Sequence, residues 1–164
     1  MKKQTIIVTG AASGIGKGIA KYFLDRGDNV VINSLTESAL EKTFNEFGAG
    51  SNLAKFAGDV SDKSTGEQLV KIALEKFGSI DVLINNAGIS AFKPFLSLST
   101  DEWDQVINTN LRSVFISSRE AAKVMNIGGR IINMASTRAI MSEPNSEAYA
   151  ASKGGIVSNS HTFA

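Results

Sequence analysis

Three glycines fall within eight residues, Thr9-Gly10-Ala11-Ala12-Ser13-Gly14-Ile15-Gly16, directly after the β-branched apolar run Thr5 to Val8. Directly beyond them Ile15, Ile19, Ala20, Phe23 and Leu24 recur at helical spacing, and Gly27 is placed to end that helix. A strand that passes through a glycine turn into a helix starts a βαβ unit. A strand that is apolar without alternation is buried on both faces. Glycine there permits a tight turn, close approach of a phosphate to the backbone, and packing of helix on strand. The helix N-terminus then offers unpaired N–H groups and partial positive charge to an anion. The fold expected is therefore α/β, a Rossmann-like doubly wound parallel sheet with helices on both faces.

The rest of the chain keeps this alternation. Strands are expected at Val30 to Ile32, within Leu53 to Val60, at Ile80 to Ile84 and at Ile131 to Met134. Helices are read from Ala39, Leu40, Phe44 and Phe47, and from Leu69, Ile72, Ala73 and Phe77, the latter capped by Ser61 or Asp62. Gly66 is expected to weaken the first turn of that second helix by about 1 kcal/mol. Ser99-Thr100-Asp101-Glu102 forms a capping box, so a helix starts there and its character continues through Leu111, Phe115 and Val124. A last helix begins near Ser146 or Glu147, after Pro144. No repeat or linker divides the chain, and 164 residues make one domain rather than two.

Tyr149 and Lys153 stand four residues apart, hence on one helix face, about 6 Å apart along the axis. A free phenol titrates near ~10, and a neighbouring cation favours its ionised form. Ser136, thirteen residues before the tyrosine, is placed to hold a carbonyl or alcohol oxygen beside it. Alone, the Tyr-x-x-x-Lys pair reads equally as an exposed helix pair. The conjunction with the glycine turn, Asn85-Asn86-Ala87-Gly88, Asn110 and Ser136, in that order, is what gives it weight.

With these motifs the chain resembles the short-chain dehydrogenase/reductase family, from about Thr5 to the last residue. The resemblance implies an NAD(P)-dependent oxidoreductase that moves hydride between nicotinamide and a ketone or secondary alcohol. It makes Tyr149 the general acid or base, with Lys153 beside it and on the nicotinamide ribose. Ser136 would polarise the substrate oxygen, and Asn110 would hold a water that links the lysine to solvent. Gly10, Ser13, Gly14, Ile15 and Gly16 would face the cofactor, with Asn33 and Ser34 at the ribose and Asp59 and Val60 at the adenine. Asn86, Ala87 and Gly88 would lie along it, although Asn85 and Asn86 read equally as residues that tie strand ends together. No carboxylate follows the second strand before Glu37; no arginine stands there to bind a phosphate either, but the small hydroxyl and amide side chains tolerate one, so the balance between NADP and NAD tilts to NADP. Loops from Ser90 to Pro94 and from Thr137 to Met141 would face the substrate. Phe92, Phe95, Ile140 and Met141 either line an apolar pocket or pack as ordinary loop residues, and Arg138 has Glu143 and Glu147 as ion-pair partners. A homodimer or homotetramer through Leu111 to Val124 and Ala148 to Phe163 is also implied.

Bulk properties narrow the remaining classes. A net charge of +1 argues against nucleic acid as a partner. Lys2 and Lys3 precede an apolar run too short for a signal peptide or membrane span, so a cytoplasmic location is expected. No cysteine is present, and the single histidine, His161, reads as a helix-surface residue, so no metal site is expected.

Members of the family continue beyond the helix of Tyr149 with a strand, a covering loop and a last edge strand, whereas this sequence stops at Ala164. The expectation is a sheet lacking those last strands, with a nearly complete adenine side and an uncovered nicotinamide side. A second functional reading therefore stands beside the oxidoreductase: a truncated nucleotide-binding or oligomerising remnant without turnover.

Overall fold

The computed structural model describes residues 3–162, so Lys2, Phe163 and Ala164 lie outside the described residues. Five parallel strands form one sheet in the order β3-β2-β1-β4-β5. They are β1 (Thr5–Val8), β2 (Asn29–Ser34), β3 (Leu53–Ala57), β4 (Val82–Asn85) and β5 (Arg130–Asn133). The helices are α1 (Gly14–Asp25), α2 (Glu37–Glu46), α3 (Lys63–Phe77), α4 (Thr100–Ile107), α5 (Ser113–Ala122) and α6 (Glu147–Thr162). Alternation along the strands splits the core between two faces. Ile6 and Val8 of β1 pack with Val30, Ile32 and Leu40 on the side of α1 and α2, while Ile7 joins Val31, Leu69, Ala73 and Ala121 on the side of α3 and α5. Each fully buried aliphatic side chain contributes about 1.5–3 kcal/mol. Together these layers make the doubly wound arrangement that the βαβ pattern implies.

Strand order reverses between β1 and β4: the chain runs outward through β2 and β3 and then crosses to the other side of β1. Open α/β sheets form a crevice at the carboxyl ends of the strands where the order reverses, and here that crevice lies between Gly10, after β1, and Asn86, after β4.

Several local expectations change. β2 runs to Ser34 rather than Ile32, because β3 pairs with it as far as Ser34 opposite Ala57. Gly66 is buried where α5 crosses α3, and a Cβ there would come within 3.0 Å of Ile116 Cγ2. Its missing side chain thus permits that contact. The capping box is present, with Ser99 Oγ accepting from Glu102 N at 3.3 Å and Glu102 accepting from Ser99 N at 3.1 Å. Between α4 and α5 the helix widens into a π-helical segment, Asn108–Arg112, in which Ser113 N donates to Asn108 O. Such one-turn widenings concentrate at functional sites. β5 is one of the two sheet edges, opposite β3, and its Ile132 is 44% exposed. Among the described residues no helix is long and apolar enough to cross a membrane.

Candidate active site

The glycine turn is held rigidly from both sides. Ala11 N donates to Asn33 O at 2.8 Å, and Asn86 Nδ2 donates to the carbonyls of Thr9 and Gly10 at 3.0 and 3.2 Å. The Thr9 hydroxyl in turn accepts from Asn86 N and Ala87 N at 3.0 and 3.1 Å. A Cβ on Gly16 would sit 2.3 Å from Asn86 Nδ2 and 2.5 Å from Gly10 O, so only glycine fits. Gly14, at φ +52°, has open space where its side chain would stand. A cleft of about 530 Å³ opens there, lined by Gly10, Ser13, Gly14 and Ile15 on one side and Asp59 and Val60 on another. Asn86, Ala87, Gly88 and Ile89 also line it, together with Leu35, Gln105 and Thr109. This bare backbone at a helix N-terminus, with no side chain filling it, fits a dinucleotide's phosphates.

A second cleft of about 540 Å³ adjoins it. Ile15, Asn86, Gly88 and Ile89 belong to both, and the second adds Ser136, Tyr149 and Lys153 with Phe92, Met134, Thr137 and Arg138. Three of the four chemical residues expected from the sequence thus share one cavity, and Asn110 does not line it. Lys153 Nζ lies 5.6 Å from the Tyr149 ring centre and donates to Met134 O at 2.5 Å. Lys153 is only 5% exposed, and this burial pushes its ammonium below the usual lysine range. Ser136 Oγ accepts from Arg138 N at 3.2 Å, and among the described residues nothing accepts the hydrogen of Ser136 or of the Tyr149 phenol. Both hydroxyls remain free to donate into the cleft. Phe92 leans over Tyr149, with ring centres 6.2 Å apart.

The structure departs from the sequence reading at several residues. Asn33 does not turn its side chain towards the cleft. It is 1% exposed, and its Nδ2 donates to the carbonyls of Phe56 and Gly58, each at 3.1 Å, tying β2 to the end of β3. Ser34 accepts from Gly58 N within the same tie, and Leu35 takes the place at the cleft expected of these two. Ile15, read both as part of the core face of α1 and as facing the cofactor, is 66% exposed and lines both clefts instead of the core. Asn110 is fully buried, and its side chain is committed to protein. Oδ1 accepts from Ile89 N at 2.8 Å, and Nδ2 donates to Ile89 O at 2.9 Å and Ser152 Oγ at 3.0 Å. Asn85 ties strand ends, donating to Asn133 Oδ1 at 2.8 Å and Ser118 Oγ at 3.1 Å. Phe95, Ile140 and Met141 are 67%, 87% and 71% exposed and stand outside the cleft, so only Phe92 of the expected apolar wall is present. Arg138 pairs with Glu143 at 2.5 Å, while among the described residues nothing hydrogen-bonds to the buried Oε2 of Glu147. His161 is exposed on α6, and among the described residues no group of side chains is placed to hold a metal ion. Gln105 and Thr109 were legible in principle, as polar residues four apart on the helix that the capping box starts. Met134 acts through its carbonyl, for which a sequence carries no signal.

Residues 4–164 match the short chain dehydrogenase family. An uncharacterized oxidoreductase of Thermotoga maritima is 39% identical over an alignment of 169 residues that takes in all of this chain and 65% of that protein. The chain therefore spans just under two thirds of that relative's length. A Brucella melitensis structure described as a short-chain dehydrogenase/reductase, glucose/ribitol dehydrogenase, is 32% identical, with a TM-score of 0.94 over 99% of this chain and 71% of its own. A Burkholderia phymatum short-chain dehydrogenase/reductase in complex with NAD is 31% identical, also with a TM-score of 0.94, over 99% of this chain and 59% of its own. The glycine turn at the point where strand order reverses, with tyrosine, lysine and serine in the adjoining cavity, agrees with that kinship, and the chain belongs to the short-chain dehydrogenase family.

Proposed function

We propose that this protein is an NAD(P)-dependent oxidoreductase acting on a ketone or secondary alcohol. One observation carries the reading: the glycine-turn cleft and the cavity of Ser136, Tyr149 and Lys153 share a wall of Ile15, Asn86, Gly88 and Ile89. A ligand seated on the glycine turn reaches the chemical groups across that wall. A nicotinamide bound there supplies or accepts the hydride. The backbone of Gly10 to Gly16 holds the pyrophosphate, with Asp59 and Val60 at the adenine. Ser136 donates to the substrate oxygen and orients it. Tyr149 gives its phenolic proton to that oxygen in reduction and takes it back in oxidation. Lys153, a buried cation 5.6 Å from the ring, stabilises the phenolate left behind and turns its ammonium to the cofactor ribose. Asn110 supports the Gly88–Ile89 loop, and any water it holds meets its backbone rather than its side chain.

The absence of a carboxylate on the wall formed by Leu35 favours NADP over NAD, and the NAD complex of the Burkholderia phymatum relative supports nicotinamide binding of either kind. The half-exposed Phe115, beside a groove of Leu111, Arg112, Gly155 and Asn159, supports a homodimer or homotetramer built on α5 and α6, which light scattering measures. A small-molecule substrate and a cytoplasmic setting complete the proposal.

The alternative is a nucleotide-binding or oligomerising remnant without turnover. It draws on the exposure of Phe95, Ile140 and Met141, which leaves one side of the Tyr149 cavity without an apolar wall. Titration of NADPH and NADH by nicotinamide fluorescence, followed by a panel of ketones, separates the two. Binding with turnover supports the oxidoreductase, and binding without turnover on any ketone supports the remnant.

A further inference from the structure

Ser152 is fully buried one residue before Lys153, and no part of the proposed chemistry uses it. Its hydroxyl donates to the Tyr149 carbonyl at 2.7 Å and accepts from Asn110 Nδ2 at 3.0 Å. Asn110, in the π-helical segment, spends its remaining donor and its acceptor on the carbonyl and N–H of Ile89. A continuous relay thus runs from the backbone after β4, through Asn110 and Ser152, to the backbone of Tyr149. The same junction is tight elsewhere. A Cβ on Gly88 would lie 3.2 Å from Asn110 Oδ1 and 3.8 Å from Lys153 Nζ. The two clefts meet at Gly88 and Ile89, so the relay sets the offset between the cofactor wall and the first turn of α6.

We infer that Ser152 is a positioning residue: through Asn110 it fixes Tyr149 and Lys153 relative to the Gly88–Ile89 wall against which the cofactor lies. The inference rests on the oxidoreductase reading for its effect on rate, but the relay itself is measurable without any ligand. The serine hydroxyl suits the task because it donates and accepts at once, whereas alanine leaves a buried amide hydrogen of Asn110 without a partner.

The test uses the full 164-residue chain, ¹⁵N-labelled, with Ser152→Ala and Ser152→Thr variants. In the ligand-free protein, Ser152→Ala is expected to speed hydrogen exchange at the Ile89 amide by about tenfold, while amides that open without disturbing the relay, such as that of Arg26 at the end of α1, stay unchanged. Ser152→Thr, which keeps the hydroxyl, restores the slow exchange. With a ketone and NADPH, Ser152→Ala lowers kcat by about tenfold and leaves the cofactor KM within about twofold, the pattern of a misplaced acid rather than lost binding. Unchanged Ile89 exchange overturns the inference. So does an unchanged kcat in an active protein. If the parent chain has no turnover, the oxidoreductase reading falls by itself, and the Ile89 exchange still decides whether the relay exists.

Discussion

The Lys153 ammonium lies 5.6 Å from the centre of the Tyr149 ring, one helical turn along α6 and inside the same cavity. The lysine is the more deeply placed of the two: it is buried, while the phenol borders open space. A cation below and a reachable hydroxyl above is the arrangement that proton transfer to a bound oxygen requires.

Replacing Tyr149 by phenylalanine removes only that hydroxyl. The ring contact with Phe92 and the packing of α6 remain. Turnover is expected to fall by about 10²–10⁴, the usual contribution of a positioned acid, with cofactor affinity nearly unchanged. Retention of more than a few per cent of kcat, in an assay with saturating cofactor, contradicts the assignment.

Lys153 gives a pH signature independent of activity. Burial lowers its folded-state value below 10.5, so between that lowered value and 10.5 the unfolded chain binds more protons than the folded one. Stability contributed at this position therefore rises with pH across that window. The Tm of the parent protein relative to Lys153→Met is expected to increase as pH climbs towards 10.5. A flat or falling difference in a calorimetric series contradicts a buried, desolvated ammonium.

On the proposed reading, Leu35 is the place to test cofactor preference, because that side chain borders the cleft while Asn33 and Ser34 do not. Leu35→Asp sets a negative charge against a ribose phosphate and offers an acceptor to ribose hydroxyls. The ratio of kcat/KM for NADPH over NADH is expected to drop by at least about tenfold, or 1.4 kcal/mol. Ser34→Asp, further from the cleft, should move it less. Equal shifts from the two substitutions would falsify the placement of the ribose beside Leu35.

Much of this architecture was legible in the residues, for reasons that separate local from tertiary causes. The glycine turn, the capping box at Ser99 and the αL stop at Gly27 are local devices, and each stands where the sequence places it. The clustering of Ser136, Tyr149 and Lys153 follows once β5 and α6 are known. The π-helical segment was not legible, because inserting one residue per turn needs no special side chain, and Asn108 to Arg112 read as ordinary helix. Asn33 misled for a different reason. Pairing with β3 extends β2 past Ile32 and turns the asparagine inward, a consequence of partners twenty or more residues away. Ile15 fits the helical period of a core face, but the turn before it opens that part of α1 to the cleft. Arg138 and Glu147 are close in sequence, yet Arg138 pairs with Glu143, and nearness in the chain could not separate the two carboxylates.

The attachment of α6 to the π-helical segment has an apolar half as well as the polar relay, and it yields a stability test. A Cβ on Gly155 would fall 2.6 Å from Leu111 Cδ2 and 3.2 Å from Cδ1, too near for either to stay where it is. The obstructing atoms are the end of a flexible side chain, so the helix need not part from its neighbour. Gly155→Ala gains helix propensity of about 1 kcal/mol and turns the end of the Leu111 side chain into the groove beside it, so a change in stability within about 1 kcal/mol of zero is expected. Leu111→Ala removes the obstruction and loses a half-buried contact of its own. In the double variant the new methyl occupies the space that the leucine vacates. Urea denaturation of the four proteins should therefore show the pair to be more stable than the sum of the singles predicts, by about 0.5 kcal/mol or more. Strict additivity would mean that Gly155 and Leu111 do not touch, and that α6 is held against the π-helical segment by the Asn110–Ser152 hydrogen bond without this contact.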